Sequence, residues 1–478
     1  MEYIVNGYQP ARLFRFFEDI CAIPHGSRNE AAVADYLVAF AEARGLSWYR
    51  DEIENVLISM PGSAGRENEP PVLLQGHTDM VCEKNNDVAH NFLTDPLKLA
   101  VADGKLYAEG TTLGADDGIA VAIMLTVLDG ELPSHPPIEC LFTSQEEIGL
   151  HGAAAFDCSR IHARRMINLD SEADDHAIVG CAGGIRSDMT VQLTRESFRG
   201  EALAVTVKGL MGGHSGENIH LGRANANKIM ARLLSPLMAT DDLHLCTCIG
   251  GSKDNAIPRE CTALISVSSA EAAAKKILTA AEDIRGELVD DDAGFKVVAE
   301  PAEAPAVMLD AVSTRAMLLP MHVAAIGVLA MNHAVNMVAY SRNMGVVALE
   351  ENAPTARITF SSRSAKESQL TQSVEELDAL ASLVGASFNH HSRYPGWDYT
   401  PNSPMRDRYI AVYRKLYGAE PVIQSIHAGL ECGLLKNKIP DLDIISLGAN
   451  LENIHSPAEK MDLASCEKLW KIIAEMLA

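Results

Sequence analysis

The alternation of helical patterns with short apolar runs is the feature that most constrains the fold of this 478-residue chain. In its first part, segments with helical spacing are separated by runs typical of buried strands. The helices are predicted at 10–21, 30–43 and 118–128, and the strands at 56–60, 72–75, 138–143 and 166–169. Such alternation is typical of a mainly parallel sheet with helices on both faces. We therefore predict an α/β domain of this architecture.

The pattern changes after residue 180 and returns near residue 397. Between these points, strands and helices follow an order typical of an α+β sandwich. A chain of this length also exceeds what one ordinary hydrophobic core supports. We predict a discontinuous α/β domain formed by residues 1–186 and 397–478, interrupted by an inserted α+β domain of residues 187–396.

Potential metal ligands stand close to the ends of apolar runs. His77, Glu147, Asp170 and His455 each follow such a run, and Asp116 stands at the start of a predicted helix. Because open parallel sheets place their sites at the carboxyl ends of the strands, we expect these side chains to lie close together. Two imidazoles and three carboxylates, one of them shared, can hold two divalent cations. Mixed ligands of this kind favour zinc, with manganese or cobalt as alternatives.

Two acidic residues complete the predicted site. Asp79 shares a face with His77, because residues two apart in an extended chain point the same way, and it can accept a hydrogen bond from the imidazole. Glu146 precedes Glu147, and a turn of the backbone would let both reach one cleft, with Glu146 as a base.

Each of these patterns also has an ordinary structural explanation. A histidine two residues before an aspartate is often structural, and either Asp116 or Asp117 can cap a helix. Paired acids such as Glu146 and Glu147 often lie at a surface. The arrangement of all these residues together favours a hydrolase with two metal ions.

The charge of the chain argues against polyanionic partners. Forty Lys and Arg side chains against 64 Asp and Glu give a net charge of −24. Such a chain repels nucleic acid and anionic lipid, so a small-molecule or peptide substrate is expected.

The location of the protein is predicted to be cytoplasmic. Ten scattered cysteines are typical of free thiols in a reducing compartment. The chain opens without the basic and apolar segments of a secretory signal. The longest semi-apolar region, 318–340, contains prolyl, histidyl and asparaginyl residues, which favour a buried helix over a membrane span.

Six motifs, in this order, resemble one enzyme family. They are H-T-D-M-V at 77–81, G-A-D-D-G at 114–118, S-Q-E-E-I-G-L-H-G-A at 144–153, I-N-L-D at 167–170, G-G-H-S-G at 212–216 and N-I-H-S-P at 453–457. The set resembles the co-catalytic zinc peptidases, which include aminoacylases, glutamate carboxypeptidases and dipeptidases. Within that family the chain is most similar to the aminoacyl-histidine dipeptidase branch, over essentially its whole length.

The resemblance implies two zinc ions, one on His77, Asp116 and Asp170 and the other on Asp116, Glu147 and His455. It also implies that Asp79 orients the His77 imidazole, that Glu146 is the general base, and that the peptide bond between Asp116 and Asp117 is cis.

For the inserted domain, the resemblance implies a lid that also forms a homodimer. His214 would stabilise the developing oxyanion, often across the dimer. Asn255 and Arg363 would hold the free carboxylate of the substrate, and Gly429 would contact it through the backbone.

The implied reaction is hydrolysis of dipeptides, preferentially Xaa-His dipeptides such as carnosine. An N-acyl amino acid deacylase or a tripeptidase would use the same two metal ions. A non-catalytic metal-binding scaffold is an alternative of a different class. Glu146 argues against the scaffold, because a scaffold has no physical need for an unliganded acid beside two cations.

Overall fold

The computed structural model describes residues 3–240, 243–333 and 335–478. The polypeptide forms two compact units. Unit 1 runs to Cys181 and resumes at Trp397–Ser425 and Leu430–Ala478. Unit 2 comprises Ala182–Gly396 and Ile426–Gly429.

The helices and strands are numbered in chain order. The α-helices are α1 (Ala11–Cys21), α2 (Ala31–Ala43), α3 (Ala115–Leu128), α4 (His151–Ala155), α5 (Ala226–Leu234), α6 (Leu237–Thr240), α7 (Ala270–Arg285), α8 (Ala311–Val323), α9 (Glu367–Leu383), α10 (Pro404–Tyr417), α11 (Glu431–Lys438) and α12 (Leu463–Leu477). The strands are β1 (Ser47–Arg50), β2 (Val56–Met60), β3 (Val72–His77), β4 (Leu99–Ala102), β5 (Lys105–Ala108), β6 (Ile138–Thr143), β7 (Arg165–Ser171), β8 (His176–Cys181), β9 (Gly183–Gln192), β10 (Arg195–Ser197), β11 (Glu201–Lys208), β12 (Gly213–His214), β13 (His244–Gly250), β14 (Ala256–Ile257), β15 (Cys261–Val267), β16 (Lys296–Pro301), β17 (Val307–Leu309), β18 (Gly327–Asn332), β19 (Met337–Leu349), β20 (Thr355–Ser364), β21 (Ser387–Tyr394), β22 (Val422–Ile426), β23 (Asp443–Gly448), β24 (Leu451–Glu452) and β25 (Lys460–Asp462).

The main sheet of unit 1 has the order β1-β2-β6-β3-β7-β23-β8-β22. Its four central strands, β6, β3, β7 and β23, are parallel, while β1, β2 and β8 pair antiparallel with their neighbours. Every residue of β3 and β6 is buried, as expected for strands covered on both faces. The apolar helix α3 packs on β3 and β7. The predicted α/β class is therefore confirmed.

Unit 2 is built on an antiparallel sheet. Its strands follow the order β16-β11-β15-β13-β19-β20-β9-β21, and β18 pairs with β19. Helices α5, α7 and α8 contribute apolar side chains to the core that this sheet shares with them. This arrangement agrees with the α+β architecture predicted for the inserted segment.

The boundary between the units differs from the predicted one. The predicted division after residue 186 would cut through β9, which begins at Gly183 and pairs with β20. Residues 426–429, which were predicted to belong to the α/β domain, lie in unit 2. The carbonyl of Ala428 accepts the backbone N–H of Ala182 at 3.0 Å, and His427 Nε2 lies 2.7 Å from Ser341 Oγ.

The prediction of one buried helix over 318–340 is wrong. Helix α8 ends at Val323, and the chain turns at Gly327 into β18 and then β19. The backbone leaves the helical region at Ala324, which has a ψ of 124°, and Gly327 has a φ of 88°, a conformation that glycine adopts at little cost. Ala334 lies outside the described residues. In the described part of the chain, every helix is too short or too polar to cross a membrane.

Candidate metal centre

The predicted ligands occupy one edge of the unit 1 sheet. His77 is the last residue of β3, Asp170 lies near the end of β7, and Glu147 follows β6 by four residues. Asp116 lies in the first turn of α3, and His455 lies in the loop between β24 and β25. Because β6, β3 and β7 are adjacent and parallel, their carboxyl ends meet at this edge.

Asp116 lies between the two histidines. Its Oδ1 is 3.1 Å from His77 Nε2, and its Oδ2 is 3.1 Å from His455 Nε2. Asp170 Oδ1 lies 3.7 Å from His77 Nε2, and Glu147 Oε1 lies 3.0 Å from His455 Nε2. The five side chains therefore form two triads that share Asp116, and the donor atoms within each triad lie within 4.8 Å of one another.

This geometry fits two divalent cations. Three donor atoms less than 4.8 Å apart can surround one ion with bonds of about 2.0–2.2 Å. One oxygen of Asp116 lies near His77 and the other lies near His455. A carboxylate that bridges two cations needs this arrangement. Each triad contains one imidazole and two carboxylates, a combination that suits zinc, manganese or cobalt.

Asp117 does not belong to either triad. Its buried Oδ2 accepts the backbone N–H of His77 at 3.2 Å. A Cβ on Gly76 would lie 2.4 Å from that oxygen, so this close approach requires glycine. The peptide bond between Asp116 and Asp117 is cis, as the resemblance implied.

A turn after β6 brings the side chains of Glu146 and Glu147 close to the other predicted ligands. Gln145 has a φ of 52°, which reverses the local direction of the backbone. The Glu146 and Glu147 backbone N–H groups both donate to the Asp79 carboxylate, at 2.9 and 3.2 Å. The Gln145 N–H donates to Glu30 Oε1 at 3.0 Å. The Glu146 carboxylate thereby lies within 4.8 Å of donor atoms of His77 and Glu147.

The backbone carbonyl and the carboxylate of Asp79 both lie near the His77 ring. The Nδ1 of His77 lies 2.9 Å from the Asp79 backbone carbonyl and 3.6 Å from its carboxylate, so the carbonyl orients the ring. The carboxylate instead accepts the Ser27 hydroxyl at 2.7 Å and the two backbone N–H groups after Gln145. The two residues do share a face, but the backbone oxygen is nearer to the ring.

Ser27 and Glu30 were not predicted from the sequence. Both lie in the polar segment between α1 and α2, and both are joined to the site only through contacts far apart in the chain. The one available signal was the conspicuous run of polar residues between two helical patterns, which carries no metal-ligand spacing.

Burial and ion pairing shift several pKa values in this cluster. Burial raises the pKa of the Glu146 carboxyl to about 8, with His77 opposing the shift and nearby carboxylates adding to it. Hydrogen bonds to Asp116 and Glu147 raise the pKa of His455 to about 10. Although burial opposes it, hydrogen bonds from the two histidines hold the pKa of Asp116 below its usual value.

The residues predicted for the inserted domain gather within unit 2. Arg363 Nη2 lies 3.3 Å from His214 Nε2, and Arg363 Nη1 donates to the Tyr394 hydroxyl at 3.1 Å. The Asn255 carbonyl accepts the backbone N–H of the residue after His214 at 2.8 Å. A Cβ on Gly429 would lie 2.9 Å from the Tyr394 ring. Tyr394 therefore joins this group, although no motif marked it.

This group has more hydrogen-bond donors than acceptors. His214 Nδ1 accepts the Glu217 backbone N–H at 3.2 Å, which leaves the ring proton on Nε2 beside the Arg363 guanidinium. Arg363 Nε is buried and has no acceptor among the described residues. Burial, followed by the charge of Arg363, lowers the pKa of His214 and keeps the ring neutral at pH 7. Such a set of donors fits an anionic ligand group.

Known proteins resemble the chain over nearly its whole length. The cytosol non-specific dipeptidase of Escherichia coli strain K12 is 38% identical over 473 residues, which cover 98% of this chain and 97% of that protein. The crystal structure of aminoacylhistidine dipeptidase from Vibrio alginolyticus is 36% identical, with a TM-score of 0.93 and coverage of 98% of this chain and 96% of that one.

A more distant structure shares the fold. Aminopeptidase PepT from Bacillus cereus superposes with a TM-score of 0.58 at 15% identity, covering 98% of both chains. The sequence matches one peptidase family over residues 73–478, a range that contains all five predicted ligands. Together with the close relatives, this match shows that the chain belongs to Peptidase family M20/M25/M40.

Proposed function

We propose that this peptidase hydrolyses dipeptides with two bound metal ions and prefers histidine as the second residue, as in carnosine. The observation that carries the proposal is Asp116, which is shared by two triads of donor atoms with Glu146 beside them. The names of two relatives also support it, because one is a non-specific dipeptidase and the other an aminoacylhistidine dipeptidase.

The proposed cofactors are two zinc ions, with manganese or cobalt as alternatives. His77, Asp116 and Asp170 would hold one ion, and Asp116, Glu147 and His455 the other. When bound, such a pair of ions lowers the pKa of a water molecule and polarises a carbonyl group. The Asp79 carbonyl would keep the His77 ring in position through Nδ1.

Glu146 is proposed to move the proton. As a carboxylate it would take a proton from the attacking water at one of its oxygens and return it to the nitrogen of the leaving amine. Its burial and its position beside both triads support this role, since the carboxyl has a high proton affinity and needs no metal bond of its own. Asp79 and Glu30 would hold the turn that presents it.

The donor-rich group of unit 2 is proposed to bind the substrate's oxygens. Arg363, with Asn255 and the backbone at Gly429, would hold the C-terminal carboxylate. The neutral His214 would donate its Nε2 proton to the developing oxyanion. The buried Arg363 Nε without an acceptor among the described residues supports this assignment, because a carboxylate would satisfy it.

The cytoplasmic location and the homodimer through the inserted domain remain predictions. The word "cytosol" in the name of the Escherichia coli relative supports the location. Light scattering on the purified protein would determine whether it is a dimer.

The function is tested by stripping the purified protein with a chelator and reloading it with zinc, manganese or cobalt. Release of histidine from carnosine and of the second residue from Xaa-Leu dipeptides should return only with metal. Faster turnover of the Xaa-His series would establish the preference, and equal rates would indicate a non-specific dipeptidase.

N-acetyl amino acids and tripeptides complete the test. If N-acetyl amino acids were hydrolysed faster than dipeptides, the protein would be a deacylase. If tripeptides were hydrolysed faster, it would be a tripeptidase. The Glu146→Gln variant is the control, since it should bind the metal with strongly reduced turnover. A wild type that binds two ions and cleaves none of these substrates would favour the scaffold.

A further inference from the structure

Glu459 is a buried carboxylate that the proposed reaction does not use. Its side chain is 3% exposed. Its Oε2 accepts the backbone N–H groups of Leu113 and Gly114 at 2.7 and 3.1 Å. Its Oε1 accepts those of Ala115 and Asp116 at 2.8 and 3.4 Å. Four consecutive N–H groups thus converge on one side chain.

These four N–H groups lie around the start of α3, just before the regular helix, because Asp116 and Asp117 have non-helical backbone angles. The first N–H groups of a helix have no acceptor within the helix, and they attract negative charge. Gly114, which precedes α3, provides no side chain to cap it. Glu459 supplies the charge and the acceptors from a segment more than 300 residues away in the sequence.

The contact joins two loops that both carry predicted ligands. Glu459 follows His455 by four residues, and the segment that it holds ends at Asp116. Both of these ligands belong to the triad that includes Glu147. The Asp116 Oδ2 lies 3.1 Å from His455 Nε2, so the spacing of the triad depends on how the two loops are fixed.

We propose that Glu459 is a positioning residue that holds Asp116 and His455 at the spacing needed to bind a metal ion. The inference rests on the proposed metal-dependent function. Partners one step removed from a metal typically contribute a factor of about 10–100 to its affinity.

A glutamine at this position cannot replace the carboxylate. An amide offers one oxygen and one NH₂ group, so two of the four N–H groups would face a donor. Aspartate keeps both oxygens and the charge, but its side chain is one methylene shorter. We therefore expect Glu459→Gln to weaken metal binding about 10–100-fold and Glu459→Asp to recover part of the loss.

Glu139 offers a matched control within unit 1. It is also buried, at 5% exposure, and it accepts the backbone N–H groups of His162 and Ala163 at 3.0–3.1 Å. It lies near the start of β6, at the opposite end of the strand from the ligands. Glu139→Gln should therefore disturb a buried carboxylate of the same kind without changing the affinity for metal.

The experiment titrates Co²⁺ into each chelator-stripped protein and follows the visible absorption, which reports the number and geometry of bound ions. Metal-free samples are first melted to establish that they are folded. At least tenfold weaker binding by Glu459→Gln, with wild-type binding by Glu139→Gln, is the expected result. Wild-type affinity in Glu459→Gln, or equal weakening in both variants, would overturn the proposal.

If Glu459→Gln does not fold, Glu459→Asp decides the question: weakened binding supports the proposal and wild-type binding refutes it. A wild type that binds no Co²⁺ would instead refute the metal-dependent function itself.

Discussion

Loading the stripped protein with metal should release protons. In the metal-free protein, the pKa of His455 is raised to about 10 and that of Glu146 to about 8. Both groups therefore carry a proton at pH 7. A histidine binds a metal only as the neutral ring, and the proposed base acts as a carboxylate, so both protons must leave. Although burial opposes it, the hydrogen bond to Asp116 also raises the pKa of His77, so at least two protons leave in all.

The size of the effect follows from these two pKa values. With a pKa of about 10, only about one His455 ring in a thousand is neutral at pH 7, so protonation alone weakens binding about 1000-fold. Below pH 8 both groups hold their protons, and the logarithm of the overall affinity should rise by at least two for each pH unit. Above pH 8 the slope should fall by about one, because Glu146 is already ionised.

Isothermal titration calorimetry with Zn²⁺ measures this release directly. The apparent enthalpy at pH 7, measured in buffers with different ionisation enthalpies, gives the number of protons, which should be about two or more. The His455→Asn variant should release about one fewer. An affinity that does not change between pH 6 and pH 8, or a release close to zero, would refute the reasoning.

Three substitutions test the roles of Glu146, Arg363 and Gly76. Glu146→Gln should lower kcat about 10²–10⁴-fold while both metal ions remain bound, and turnover close to wild type would remove Glu146 from the mechanism. Arg363→Met should raise KM for dipeptides about 10–100-fold but change little for dipeptide amides, which lack the carboxylate; an equal effect on both would contradict the assignment. Gly76→Ala places a Cβ 2.4 Å from Asp117 Oδ2 and 2.5 Å from the Ala120 Cβ. It should lower the free energy of unfolding by about 1–3 kcal/mol in chemical denaturation, and an unchanged value would contradict the packing.

The fold was predictable where the local pattern and the tertiary context agree. The predicted strands 56–60 and 138–143 match β2 and β6 at both ends, because buried strands leave short apolar runs bounded by polar residues. The helix predicted over 318–340 fails because the end of α8, all of β18 and the start of β19 follow each other there. The helix ends through a change of backbone angles at Ala324, which the periodicity of the sequence does not mark.

The site also contains some residues that the sequence predicts and others that it does not. The structure brings the five predicted ligands together because strand order and direction place the ends of β3, β6 and β7 side by side. Glu30 and Glu459 could not be predicted, since they act on backbone N–H groups, which leave no trace in a motif. Tyr394 was not predicted for a related reason, because its hydroxyl lies beside Arg363 only in the folded unit 2.

In the proposed function, two metal ions bound by the triads around Asp116 drive dipeptide hydrolysis. The most direct measurement is histidine release from carnosine by the chelator-stripped protein as Zn²⁺, Mn²⁺ or Co²⁺ is added, with bound metal counted in the same samples. We expect no release without metal and full activity at two ions per chain. Activity in the stripped protein, or no release on any dipeptide with two ions bound, would contradict it.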